Sequence, residues 1–336
     1  MATNISKAEK ILETVKQANQ EAIVMQPIEL ADQHQNELVM FIKPEVFMDT
    51  TEDKMVNAVE MMLDKLDDYD ATVNGLVAIP GPVLESQKIM NRHYGYINQM
   101  SRQASQMVTE DDLRTIAESL AIDPEGYQIL GGHEFLQAYP NTDGKQLDAL
   151  WFEEGSTKIR SGFYVRAVEH QADQIVLVNA FHPEQLAHFT LPDRTIVLMV
   201  VQSDTPWAVL RTQMIGDSFP EKAQPDSIRG ILYHHPIPFG FEQVSIANNT
   251  VHLSAGPTEA LFELNNFLSG TVGLDMASQP PNLLRRLMLG GLSYEQAVMV
   301  LENPTISING VEKDLHSHFE HVDTDQAVSQ IVNHFK

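Results

Sequence analysis

Glu37-Leu38-Val39-Met40-Phe41-Ile42, closed by Lys43-Pro44-Glu45, is a short and mostly apolar run that halts at a proline. Proline carries no amide to continue a ladder, so the pattern predicts a buried strand with Lys43 at its end. Downstream, Thr50 and Asp53 open a helix with Met55, Val56, Val59, Met62, Leu63 and Leu66 on one face. A strand from Ala71 to Ile79 follows, Pro80-Gly81-Pro82 breaks it, and a second helix is expected from Val83 to about Tyr94. Thr195 to Val201 is almost wholly apolar, as a central strand would be, and Thr205-Pro206 then starts a helix with Trp207, Leu210 and Met214.

Upstream, Ser6 and Glu9 form a capping box for an amphipathic helix bearing Ala8, Ile11, Leu12, Val15 and Ala18. Between the two halves, Thr109 and Asp112 cap a helix, and Gly162 to Val168 with Gln174 to Ala180 predicts a hairpin. After Phe267, Pro280-Pro281, Gly290-Gly291 and Pro304 punctuate short helices, one with a Ser293/Gln296 capping box.

The 336 residues are 43% hydrophobic, enough for a proper core, and contain no cysteine. Thiol catalysis, zinc-thiolate sites and a disulfide framework are thereby excluded. The N-terminus lacks a secretory pattern and no apolar run approaches a membrane span, so a cytoplasmic protein is expected. A formal net charge of -24 argues against nucleic acid and anionic membranes as partners. Any anionic ligand needs local cations, which draws attention to Lys43, Arg211 and Arg229.

Neither a Gly-x-x-x-x-Gly-Lys-Ser/Thr loop nor a Gly-x-Gly-x-x-Gly turn is present. Asn249-Thr250-Val251-His252-Leu253-Ser254 suggests another way of handling phosphate. A neutral imidazole attacks through one nitrogen while an acceptor on the other fixes its tautomer. Glu263, eleven residues beyond His252 on the following helix, can be that acceptor.

The chain carries, in order, Lys43-Pro44-Glu45, His93-Tyr94-Gly95, Ile215-Gly216-Asp217-Ser218-Phe219-Pro220, Pro225-Asp226-Ser227-Ile228-Arg229-Gly230 and Asn249-Thr250-Val251-His252-Leu253-Ser254. This series resembles the nucleoside diphosphate kinases. In that family a strand ends in Lys-Pro-Asp, a His-Tyr pair closes a helix, and an Ile-Gly-x-Thr-x-Pro segment precedes Pro-Gly-x-Ile-Arg-Gly. Asn-x-x-His-Gly-Ser then carries the nucleophile.

The resemblance implies an α/β (α+β) fold, a ferredoxin-like split β-α-β antiparallel sheet with a large insertion and a helical tail. It divides the chain into a helical extension over 1–36, a kinase-like domain over 37–268 with an insertion about 97–180, and a helical extension over 269–336. It implies transfer of a terminal phosphoryl group from a nucleoside triphosphate to a nucleoside diphosphate, with His252 as the phosphorylated nucleophile and Glu263 as its orienting partner. Lys43, Tyr94, Arg211, Ser218, Arg229 and Asn249 would hold phosphates and sugar, and Phe181 is the candidate for stacking on the base. Arg211 lies one residue out of register with Gly216, a rotation of about 100° on a helix.

Mg2+ would enter with the nucleotide, bridging phosphates rather than sitting in a protein cage. His316, His318 and His321, like His234-His235, read as solvated polar residues rather than metal ligands. Family members are typically oligomers, which leaves a homo-oligomer open. The family's glycine after the histidine is Leu253 here, its aspartate two residues later is Ala255, and Glu45 stands for the aspartate after Lys-Pro. Leu253 beside the nucleophile motivates the alternative, a catalytically weak or inactive nucleotide-binding or assembly module.

Overall fold

The computed structural model describes residues 3–30 and 34–335. It is a mixed α/β protein whose described residues form three sheets. Contacts divide it into one unit of residues 1–87 and 191–336 and a second of residues 88–190.

The first unit is built on a five-stranded sheet. Asn36–Ile42 and Thr72–Pro80 both pair antiparallel with Thr195–Ser203, which lies between them, and Val251–Leu253 pairs antiparallel with the other edge of Asn36–Ile42. That is the strand order of a split β-α-β sheet. An unanticipated strand, Ile23–Gln26, adds to the free side of Thr72–Pro80.

Every residue of Asn36–Ile42 is buried because both faces are covered. Leu38, Met40 and Ile42 join the core with Ala58, Val59, Met62, Leu63 and Leu66 of helix Glu52–Asp68. On the opposite face Phe41 meets Phe267 of helix Pro257–Val272, with ring centroids 5.5 Å apart.

The first helix is Asn4–Gln17, capped by Thr3 rather than Ser6: the Ser6 amide donates to Thr3 Oγ1. The chain turns helical earlier because Asn4 Nδ2 donates to Asp64 and Asp67, both at 2.8 Å, which ties the first turn to helix Glu52–Asp68. The helix expected from Val83 to Tyr94 is also divided. It ends at Ser86, Lys88 adopts φ 54°, and Ile89–His93 begins anew.

The C-terminal region is not wholly helical as expected. Alongside helices Asn282–Leu289, Tyr294–Val298, Leu315–His318 and Thr324–Phe335 it contains a hairpin of Thr305–Ile308 and Val311–Asp314. Asn309 and Gly310 turn it with φ 53° and 78°, the backbone a two-residue hairpin demands. This region is fastened to the sheet by buried polar pairs. Asp323 accepts from Asn36 Nδ2 at 2.9 Å and the Trp207 amide at 2.7 Å, and Glu37 accepts from the Asn282 amide at 2.8 Å.

The second unit has its own four-stranded sheet in the order Gln128–Gly131, Asp173–Val178, Phe163–His170, Thr157–Arg160. Strand alternation sends Val176 and Val178 into one core with Met100, Ile116 and Phe163. Ile175 and Leu177 enter another with Phe135, Leu147 and Trp151. The Thr109/Asp112 capping box opens helix Glu110–Leu120 here.

Candidate active site

His252 lies opposite Phe41 in the sheet, and the two rings stack with centroids 4.5 Å apart and planes 18° apart. Alternation sends its neighbours Val251 and Leu253 into the core and turns His252 to the face covered by helix Pro257–Val272. Leu253 is fully buried on that core side, on the opposite face of the strand from the His252 ring.

From the covering helix, buried Glu263 meets His252 Nε2 at 2.6 Å, and its other oxygen accepts from Ser254 Oγ at 2.6 Å. A carboxylate accepts, so Nε2 carries the proton and Nδ1 the lone pair. Burial depresses the His252 pKa to about 3; nearby Glu259 opposes this, while Arg211, Lys43 and Arg229 add to it. The ring is therefore neutral at pH 7, as a nucleophile requires.

Glu259, one helical turn before Glu263, is the residue that sequence reasoning missed. Its carboxylate accepts from the Ala255 amide, and burial followed by the charge of Glu263 raises it to about 7. The i, i+4 spacing of Glu259 and Glu263 was the available signal.

At the end of the neighbouring strand, Lys43 Nζ donates to Asn249 Oδ1 at 2.6 Å, and Asn249 Nδ2 donates to the Ser218 carbonyl at 3.2 Å. Burial lowers Lys43 to about 8, against the pull of Glu45 and with help from Arg229. Between them, buried Thr250 takes φ 67°. A β-branched residue there is strained by about 1–3 kcal/mol. Glu45 holds it by accepting from the Thr250 amide at 2.9 Å, and the Lys43 amide donates to the Thr250 carbonyl at 2.9 Å.

Arg229 is buried and donates to the Gly216 carbonyl at 2.9 Å and the Val251 carbonyl at 2.8 Å, bracing the histidine strand against the Gly216 loop. Its pKa falls to about 9, chiefly through burial and then the charge of Arg211. Gly230 beside it admits no side chain, since a Cβ would lie 1.9 Å from the Gln224 carbonyl oxygen.

The register of Arg211 is resolved by the backbone. Leu210–Ile215 is a π-turn, and the Gly216 amide donates to the Arg211 carbonyl at 3.2 Å. The wider turn absorbs the extra residue, so the expected rotation does not carry Arg211 away. Arg211 Nη1 donates to the Leu253 carbonyl at 2.5 Å, while its buried Nε has no hydrogen-bond partner among the described residues. Arg211 and Ser218 also line a cleft of about 420 Å³.

Lys43, Arg211, Arg229, Asn249, His252 and Glu263, with the Ser218 backbone, are thus brought together in the first unit. Tyr94 belongs to the second unit, at the end of helix Ile89–His93, where its ring lies 5.5 Å from His182 and 6.1 Å from Phe189. Phe181 is half-buried and packs against Trp151 and Tyr164 of that unit. His316 Nδ1 lies 3.1 Å from Thr258 Oγ1, and His318 Nε2 donates to the Ile306 carbonyl at 3.0 Å. No described helix is long and apolar enough to cross a membrane.

No protein-family model and no curated protein matches the chain. Among solved structures it is similar to an NDP kinase from Pyrobaculum aerophilum, with 16% sequence identity and a TM-score of 0.35, covering 71% of this chain and 98% of that one. The likeness is distant and concerns the fold alone.

Proposed function

We propose that this chain is a divergent nucleoside diphosphate kinase-like phosphotransferase on a ferredoxin-like sheet, with His252 as the covalent carrier. The reading rests above all on the His252 Nε2 contact with Glu263 at 2.6 Å, which sets the tautomer of a ring kept neutral by burial. The Nδ1 lone pair attacks the terminal phosphorus of a nucleoside triphosphate. The bond to the bridging oxygen breaks, and its electron pair leaves on the diphosphate. Glu263 stabilises the positive charge that the phosphorylated ring acquires. An oxygen of a second diphosphate then attacks phosphorus, and the N–P pair returns to Nδ1.

Lys43 and Arg211 supply positive charge where an acidic protein would otherwise repel the nucleotide. Magnesium would enter with the nucleotide as part of the substrate. Glu263 is engaged with His252 and Ser254, and Glu259 with the Ala255 amide, so the site fits an ion held by phosphates, which would offset their charge. A nucleotide-binding module without turnover is the second reading. It is favoured by Arg229, whose terminal nitrogens donate to backbone carbonyls.

The test is intact-protein mass after incubation with magnesium and ATP, for wild type and His252→Ala, followed by a nucleoside diphosphate. One acid-labile phosphoryl adduct is expected, dependent on His252 and discharged by the diphosphate. Full phosphotransfer by pure His252→Ala would sink the mechanism, and ATP binding with no adduct would select the second reading.

A further inference from the structure

Among the histidines His316, His318 and His321 of the C-terminal region, none used by the mechanism, one stands apart. His316 and His318 are tied to Thr258 and Ile306, but His321 is placed otherwise. Its amide donates to the Ala255 carbonyl at 2.7 Å, three residues beyond His252, and its φ is 62°. The backbone on either side is anchored. Phe319 is fully buried, its carbonyl leaves room only for glycine at position 256, and Asp323 is bonded to Asn36 and Trp207. A non-glycine residue in the left-handed region persists where its surroundings over-determine it, as they do at functional sites.

The His321 side chain, 39% exposed, lines the same cleft of about 420 Å³ as Arg211, Ser218 and Lys222. Glu320 Oε1 lies 3.9 Å from its Nε2, beyond hydrogen-bond distance. Asp217 and Glu320 also line the cleft, whose lining contains no hydrocarbon side chain, which suits a phosphate chain, its charge met by Arg211 and Lys222, rather than a base. Arg211, which lines the same cleft, has a buried Nε with no hydrogen-bond partner among the described residues.

We infer that His321 is a ligand-binding residue whose imidazole donates to phosphate oxygens of the nucleotide, so that the C-terminal segment completes the phosphate cleft. This assignment rests on the nucleotide reading above and extends it to a part of the chain that the kinase resemblance does not cover. A donor to an anionic oxygen removed by mutation weakens binding roughly tenfold.

Calorimetric titration of the full chain with magnesium-ATP, tripolyphosphate and adenosine tests this. His321→Ala and His321→Phe are expected to weaken ATP and tripolyphosphate roughly tenfold and leave adenosine unchanged, while His321→Gln, which keeps a donor, loses less. Thermal melts separate this from unfolding, and the phenylalanine variant keeps the ring's bulk. Wild-type affinity for ATP in either the alanine or the phenylalanine variant overturns the inference. Equal losses for adenosine overturn the assignment to phosphate. If wild type forms the His252 adduct and the His321 variants bind ATP normally, only this inference fails; if wild type binds no nucleotide, the parent reading fails with it.

Discussion

Burial brings Lys43 to about 8, so its ammonium is present below that pH and lost above it. His252, near 3, stays neutral throughout the range from 5 to 9. The kcat/KM for nucleotide, which reports the free protein, should therefore show a fall as pH rises through about 8, distinct from any step near 7 where Glu259 loses its proton, and Lys43→Arg should remove the fall near 8. A wild-type profile flat to pH 9.5 would refute this role for Lys43. At this scale His252 and Glu263 were legible as a pair from their spacing, because a strand residue and a residue on the next helix lie close in sequence. Glu259 was legible in principle from the helix period. His321 was not, since nothing local to it signals that its amide meets the Ala255 carbonyl.

The elements were read well where a single physical cause acts alone. The apolar runs at Asn36–Ile42 and Thr195–Ser203 and the capping boxes at Thr109 and Ser293 are of this kind. The first helix cap was misplaced because two hydroxyls compete and tertiary bonds from Asn4 choose between them. The Asn309-Gly310 hairpin has a local cause as well, an Asn-Gly pair that suits a two-residue turn. The π-turn at Leu210–Ile215 arises from one residue too many between two anchored points, Arg211 on the histidine strand and Gly216 on Arg229. Deleting exposed Gln213 should relax it to an α-helix, shifting the melting temperature by no more than about 4 °C. Deleting Val59 from helix Glu52–Asp68 should instead abolish cooperative melting by circular dichroism, since it rotates the downstream core residues by about 100°. Equal damage from both deletions would count against this account of the π-turn.

At the scale of the molecule, the second unit has its own sheet with a core on each face. Residues 88–190 expressed alone should accordingly unfold in one cooperative thermal transition. A fragment without a melting transition would show that this unit depends on the rest of the chain. The sequence by itself determined the main strands, the absence of thiol chemistry, and an acidic chain whose anionic ligands need a local cationic site. It also singled out His252, because strand alternation, proline stops and motif order are local properties of a chain. Only the tertiary structure decided that Leu253 is buried in the core, that the π-turn returns Arg211 to the histidine strand, and that His321 lines the cleft beside it. Each of these depends on which distant segments pack together, a property of the assembled core that no local pattern encodes.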